Sequence, residues 1–125
     1  MAYDWSKVSL HYPWTLSEND YQDTKKQNSN VVEIPIATFD FFGMTLRADP
    51  ANSALLQMGF DYYYKNADRS KKSFIFVVIS HSIEATHKDG SKTKVIDLMK
   101  DFLSYVSKFK DVKFLTLQEA CNKYK

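Results

Sequence analysis

The chain has 125 residues, enough for one hydrophobic core and too few for a complete β/α barrel, which takes about 250. Its 44% hydrophobic and 26% charged residues are those of an ordinary globular protein, whereas the 15% aromatic content is high. A formal net charge of +2, with acidic residues among the lysine clusters, argues against the concentrated basic surface a nucleic-acid partner requires.

Residues 1–30 read as an irregular aromatic arm carrying Tyr3, Trp5, Tyr12, Trp14 and Tyr21, broken by Pro13 and ending in a polar loop. A strand is expected over 31–39, with Pro35 marking an edge or a bulge because it cannot donate to a ladder, and Asp40 follows at its end. Asp49-Pro50 gives a helix start, an N-cap with proline at the first helical position. Ala51, Leu55, Met58 and Tyr62 then mark the buried stripe of a helix over 50–65. Tyr62-Tyr-Tyr64 runs around that helix, so at least one ring is expected to be exposed or to meet a partner.

The run Ser73-Phe-Ile-Phe-Val-Val-Ile-Ser-His81 is apolar on both faces and predicts a strand of a covered parallel sheet, ending on a histidine. A polar stretch with a turn at Lys88-Asp-Gly-Ser91 follows. Val95, Met99, Phe102, Val106 and Phe109, widened by Ile96 and Leu103, predict a helix over 93–110. A short strand is expected over 112–115. Thr116-Leu-Gln-Glu119 has the pattern of a capping box, which predicts a last helix over 117–124.

Strands alternating with helices predict one α/β domain over 1–125: the arm, then a β/α unit over 31–125 with parallel strands, a partial β/α barrel. Three parallel strands leave both sheet edges open, so self-association, completion by another chain or an arm folded over the edge is expected. The single Cys121 excludes an intrachain disulfide and a cysteine-based zinc cluster. No apolar run approaches the roughly 18 residues of a membrane span, so no membrane is expected. Met1 to Asp20 holds no apolar leader segment, so a cytoplasmic location is expected if the reading frame is complete.

Three pieces in the C-terminal half carry a resemblance: Ile79-Ser-His81 ending an apolar run, the amphipathic segment from Val95 to Phe109, and Val112-Lys-Phe-Leu-Thr-Leu-Gln-Glu119 leading into the last helix. Their order and spacing resemble the end of the polysaccharide deacetylase family, the chitin and peptidoglycan deacetylases on a distorted β/α barrel. Upstream, Val31-Val-Glu-Ile-Pro-Ile36 and Tyr3-Asp-Trp-Ser6 look like segments from the middle of those enzymes. The family's Thr-Phe-Asp-Asp, His-x-x-x-His and Arg-x-Pro-aromatic motifs are absent. Thr38-Phe-Asp-Phe41 imitates the first but has Phe41 in place of its second aspartate. The chain thus looks like the C-terminal part of such an enzyme without its metal-binding half.

The resemblance implies a polysaccharide deacetylase-like segment. Its parent class hydrolyses N-acetyl groups of amino-sugar polymers with a divalent metal, zinc, and this chain alone is expected to be inactive and to hold no cofactor. It implies that His81 sits at the general-acid position and that Ile79 lines the pocket for the acetyl methyl. Imidazole suits that work because its ordinary pKa, about 6.5, lies near working pH. One acid without a base or a metal does not activate water. His81 is expected at the sheet's C-terminal mouth, partly exposed, with Asp40 or Glu84, at or just after strand ends, or a backbone carbonyl as its ring partner. His11 and His87 read as surface histidines, because the six-residue spacing of His81 and His87 matches no established zinc geometry and a structural zinc needs four closed ligands. Trp5 and Trp14 of the arm are candidate platforms for a sugar ring, or covers for an interface. The alternative function is a non-catalytic carbohydrate-binding or protein-assembly module on the same scaffold.

Overall fold

A computed structural model describes residues 12–19, 29–68, 70, 74–81 and 89–124. In chain order the elements are β1 (Trp14–Thr15), β2 (Val32–Glu33), β3 (Thr38–Phe41), β4 (Met44–Arg47), α1 (Ser53–Asn66), α2 (Lys94–Val106) and α3 (Leu117–Tyr124). The strands form two separate antiparallel pairs, β1 with β2 and β3 with β4. This overturns the parallel β/α unit and the partial barrel expected from the sequence.

The physical reasons lie in three segments. Over 31–39, Pro35 and the restriction it puts on Ile34 interrupt the run, so β2 ends at Glu33 and pairs back to β1 while β3 starts afresh at Thr38. Over 74–81 no ladder forms, and one backbone bond, from the Ala37 N–H to the Val77 carbonyl at 2.8 Å, ties the segment to the β3 side. Its apolar signal is instead met by packing, since Phe74, Phe76 and Val78 lie against the core. Residues 112–116 form no strand either.

β3 and β4 make a hairpin in register Thr38↔Arg47, Phe39↔Leu46, Asp40↔Thr45 and Phe41↔Met44. Its two-residue turn puts Phe42 at φ 49° and Gly43 at φ 79°, the paired positive values of a type I′ turn that matches strand twist. Glycine adopts this conformation freely. A bulky side chain there costs about 1 to 2 kcal/mol. The Gly43 N–H donates to Asp40 Oδ1 at 3.1 Å and closes the tip.

Helix α1 starts three residues later than expected. Asn52 is its N-cap, the side chain accepting from the N–H groups of Ala54 and Leu55 at 3.1 and 3.2 Å. Asp49 serves the turn before it, its carboxylate accepting from the Ala51 N–H at 2.9 Å. The buried stripe is Leu56, Gly59, Phe60 and Tyr63, one residue out of phase with the expected one, and Ala51 is exposed. Leu56 and Tyr63 join Ala37 and Ala48 at the centre of the core. Gly59 lets β3 and β4 approach: a Cβ there would lie 3.0 Å from Ala48 Cβ and 3.1 Å from the Phe39 ring.

The aromatic excess finds its place around α1. Phe60 meets Phe76, Phe102, Tyr105 and Phe109 edge-to-face with centroids 5.2–6.0 Å apart, and Tyr63 meets Phe74 and Phe76. Helix α2, capped by Thr93, covers this cluster with Met99, Phe102 and Val106, and ends at Val106 where 93–110 was expected. Two phenols pin the layers: Tyr105 donates to Asp61 Oδ1 at 2.7 Å, and Tyr64 donates to Asp111 Oδ1 at 2.9 Å. Helix α3 occupies its expected range. Among the described residues no helix is long and apolar enough to cross a membrane.

Candidate functional site

The chain leaves the core at Val78. Phe74, Phe76 and Val78 pack inward, Ile79 is 42% exposed, and Ser80 and His81 are exposed. Residues 74–78 are all half-buried and 79–81 all exposed, so the segment leaves the core with an apolar residue and an imidazole at the surface two positions apart. No parallel-sheet mouth frames them, because the segment belongs to no sheet.

The other expected site residues are placed differently. Asp40 is exposed, and its Oδ1 closes the β3–β4 turn through the Gly43 N–H. Trp14 is 3% exposed in β1, opposite Glu33, so its ring is a core element and offers no open face to a sugar. Burial pushes the Glu33 carboxyl above its ordinary value. Trp5, Glu84, His11 and His87 lie outside the described residues.

A zinc site of the kind the sequence resemblance implies needs three or more donors converging on one point. Among the described residues no three His, Cys, Asp or Glu side chains do so. The described part of the chain therefore does not fit the metal, and no hydrolytic step is derived through it. An exposed imidazole can give and take a proton.

Two features escaped the sequence reading. Between α1 and α2 lies an open groove of about 190 Å³, floored by Leu56, Leu98 and Phe102 and rimmed by Ser53, Gln57 and Asp101. The spacing of Leu98, Asp101, Phe102 and Tyr105 along one face of α2 was the available signal. The second is Tyr63, whose phenol is buried and pushed up to about 12 by desolvation. Its oxygen accepts from the Thr38 N–H at 3.2 Å, while the buried Thr38 Oγ1 has no hydrogen-bond partner among the described residues.

No protein-family model, curated protein or solved structure matches the chain.

Proposed function

We propose that the chain is a polysaccharide deacetylase-like segment, related to enzymes that hydrolyse N-acetyl groups of amino-sugar polymers, and that it has no deacetylase activity by itself. The observation that carries the reading is the order of three local features. An apolar run ends on exposed Ile79 and His81; the amphipathic helix α2 follows; residues 112–116 then lead into α3 through a realised capping box. The resemblance rests on this succession and not on sheet topology.

Purified chain incubated with chitin oligomers and zinc or cobalt is expected to release no acetate. Acetate release above a no-protein control, lost in His81→Ala, would overturn the inactivity. The relationship itself is tested by reading the gene upstream of the Met1 codon, where in-frame Asp-Asp and His-x-x-x-His motifs are expected. A stop codon immediately upstream would remove the parent-enzyme reading.

One observation favours the second reading, a non-catalytic binding or assembly module. Phe114 and Leu117 are 62% and 67% exposed, and Leu103 and Leu115 are also exposed, so the C-terminal part carries uncovered apolar side chains. Titration with amino-sugar oligomers, followed by backbone amide shifts of residues 103–117, separates the versions. Saturable shifts support glycan binding, and their absence leaves protein assembly.

A further inference from the structure

The outer edge of β4 is an exposed strand edge. Met44, Thr45 and Arg47 are exposed, and nothing among the described residues pairs with that edge. In a two-residue hairpin the pair flanking the turn, Phe41 and Met44, exchanges both hydrogen bonds, and every second pair does the same. Thr45 and Arg47 therefore aim their N–H and C=O groups away from β3. Proteins blunt such an edge with proline, a bulge or charge, and β4 has neither proline nor bulge and one charge, Arg47 at its end, which lies 3.8 Å from Asp49 of its own chain.

We propose that β4 pairs antiparallel with β4 of a second copy of this chain, joining two hairpins into one four-stranded sheet about a two-fold axis. Three registers are open to so short a strand, and the side chains choose among them. Centring on Thr45 would require Gly43, held at φ 79° in the turn, to act as a strand residue. Centring on Arg47 would set the two arginines directly opposite, which is destabilising. Centring on Leu46 pairs Thr45 with Arg47 of the second copy twice over, using all eight outward backbone groups. It also places Arg47 of each copy two strands from the other's Asp40 on the same face, opposite charges with only Thr45 between.

This register gives the hairpin tip a role. Phe42 is 91% exposed although its positive φ disfavours a bulky side chain, and the Phe41 ring supports it edge-to-face at 4.7 Å. In the paired sheet each Phe42 lies alongside the 49–51 turn of the second copy, where Ala51 is exposed. Phe42 and Met44 from two copies bring roughly 500 Å² of apolar side chain to the contact. A specific interface starts near about 1,200 Å² in total, so the strand edges and turns must supply the remainder. The dimer is accordingly expected to be weak and concentration-dependent.

Sedimentation velocity over about a hundredfold range of concentration is expected to show wild type passing from monomer to dimer. Thr45→Pro removes an outward N–H that the hairpin itself does not use, so it should stay monomeric with an unchanged circular dichroism spectrum. The register is read independently by Leu46→Cys in a Cys121→Ser background. The two Leu46 positions form a non-hydrogen-bonded pair with Cα atoms about 4.5 Å apart, within disulfide reach. Mild oxidation should give a covalent dimer from Leu46→Cys and little from a Ser53→Cys control. Phe42→Asn should weaken association while raising the urea midpoint of the monomer. A wild type that remains monomeric throughout overturns the proposal. So does a dimer that survives Thr45→Pro, or one in which Leu46→Cys fails to cross-link.

Discussion

Gly59 shows how one missing side chain sets the distance between layers. In the middle of α1 a glycine costs helix stability, about 1 kcal/mol relative to alanine. Substitution would normally recover that. Here the added Cβ would meet Ala48 Cβ at 3.0 Å, and that atom is fixed to backbone and has no rotamer to give. The Phe39 ring, at 3.1 Å, is itself held in the core. Overpacking of this kind costs roughly 1 to 3 kcal/mol, so Gly59→Ala is expected to lower stability by about 1 kcal/mol net despite its better helix propensity. Urea unfolding of the two proteins measures the sign directly. A stabilised variant would mean that β3 and α1 are further apart than described.

At the scale of elements, what could be read from the chain divides by how local the determinants are. Helix α3 was legible in full because a capping box is written within four residues. The Glu119 N–H donates to Thr116 Oγ1 at 3.2 Å, and Glu119 Oε2 accepts from the Thr116 N–H at 2.7 Å. The centre of the α2 face, Met99, Phe102 and Val106, was legible from its spacing, whereas Leu103, expected to widen that face, is 43% exposed. The strands were not legible, because a ladder depends on a partner distant in sequence, and the hairpin turns on Phe42-Gly43, which is not one of the usual Asn-Gly or Asp-Gly signals. The exposed end of 74–81 at His81 could be read from the break in apolar sequence, while the burial of Trp14 could not, since it depends on pairing with β2.

The capping box carries its own prediction. The two bonds from Thr116 hold the Glu119 carboxyl below its ordinary value, so its contribution is present above the ordinary carboxylate range and is lost as pH falls through the lowered value. Protection of the 117–124 amides, measured against the intrinsic exchange rate at each pH, should therefore fall in acid more than protection of the α1 amides. Thr116→Ala, which costs about 1 kcal/mol of cap, should raise exchange there at neutral pH and remove the acid dependence. Equal acid sensitivity in wild type and variant would assign the effect to another carboxylate.

For the molecule as a whole, the core depends on a phenol that must stay protonated. Tyr63 is 2% exposed at the centre of the cluster, where its oxygen accepts from the Thr38 N–H and joins α1 to β3, while burial disfavours a charge on the phenol. Its value is raised to about 12, whereas in the unfolded chain it titrates near the ordinary value of 10. The folded state binds the proton more tightly, so the stability linked to it is complete below pH 10 and declines as pH rises towards 12. Two pKa units correspond to roughly 3 kcal/mol, a large share of the stability of a small domain. Tyr105 adds to the same trend in direction, because its donated bond to Asp61 also raises its value. Urea midpoints measured at rising pH should fall steeply over this alkaline interval, and phenolate absorbance should show one tyrosine that ionises only as the chain unfolds. In Tyr63→Phe the midpoint at neutral pH should drop, because the Thr38 N–H loses its acceptor, yet its alkaline decline should be shallower. If the two proteins decline in parallel, ionisation of buried Tyr63 does not set the alkaline limit of the fold, and that limit lies with the outer tyrosines.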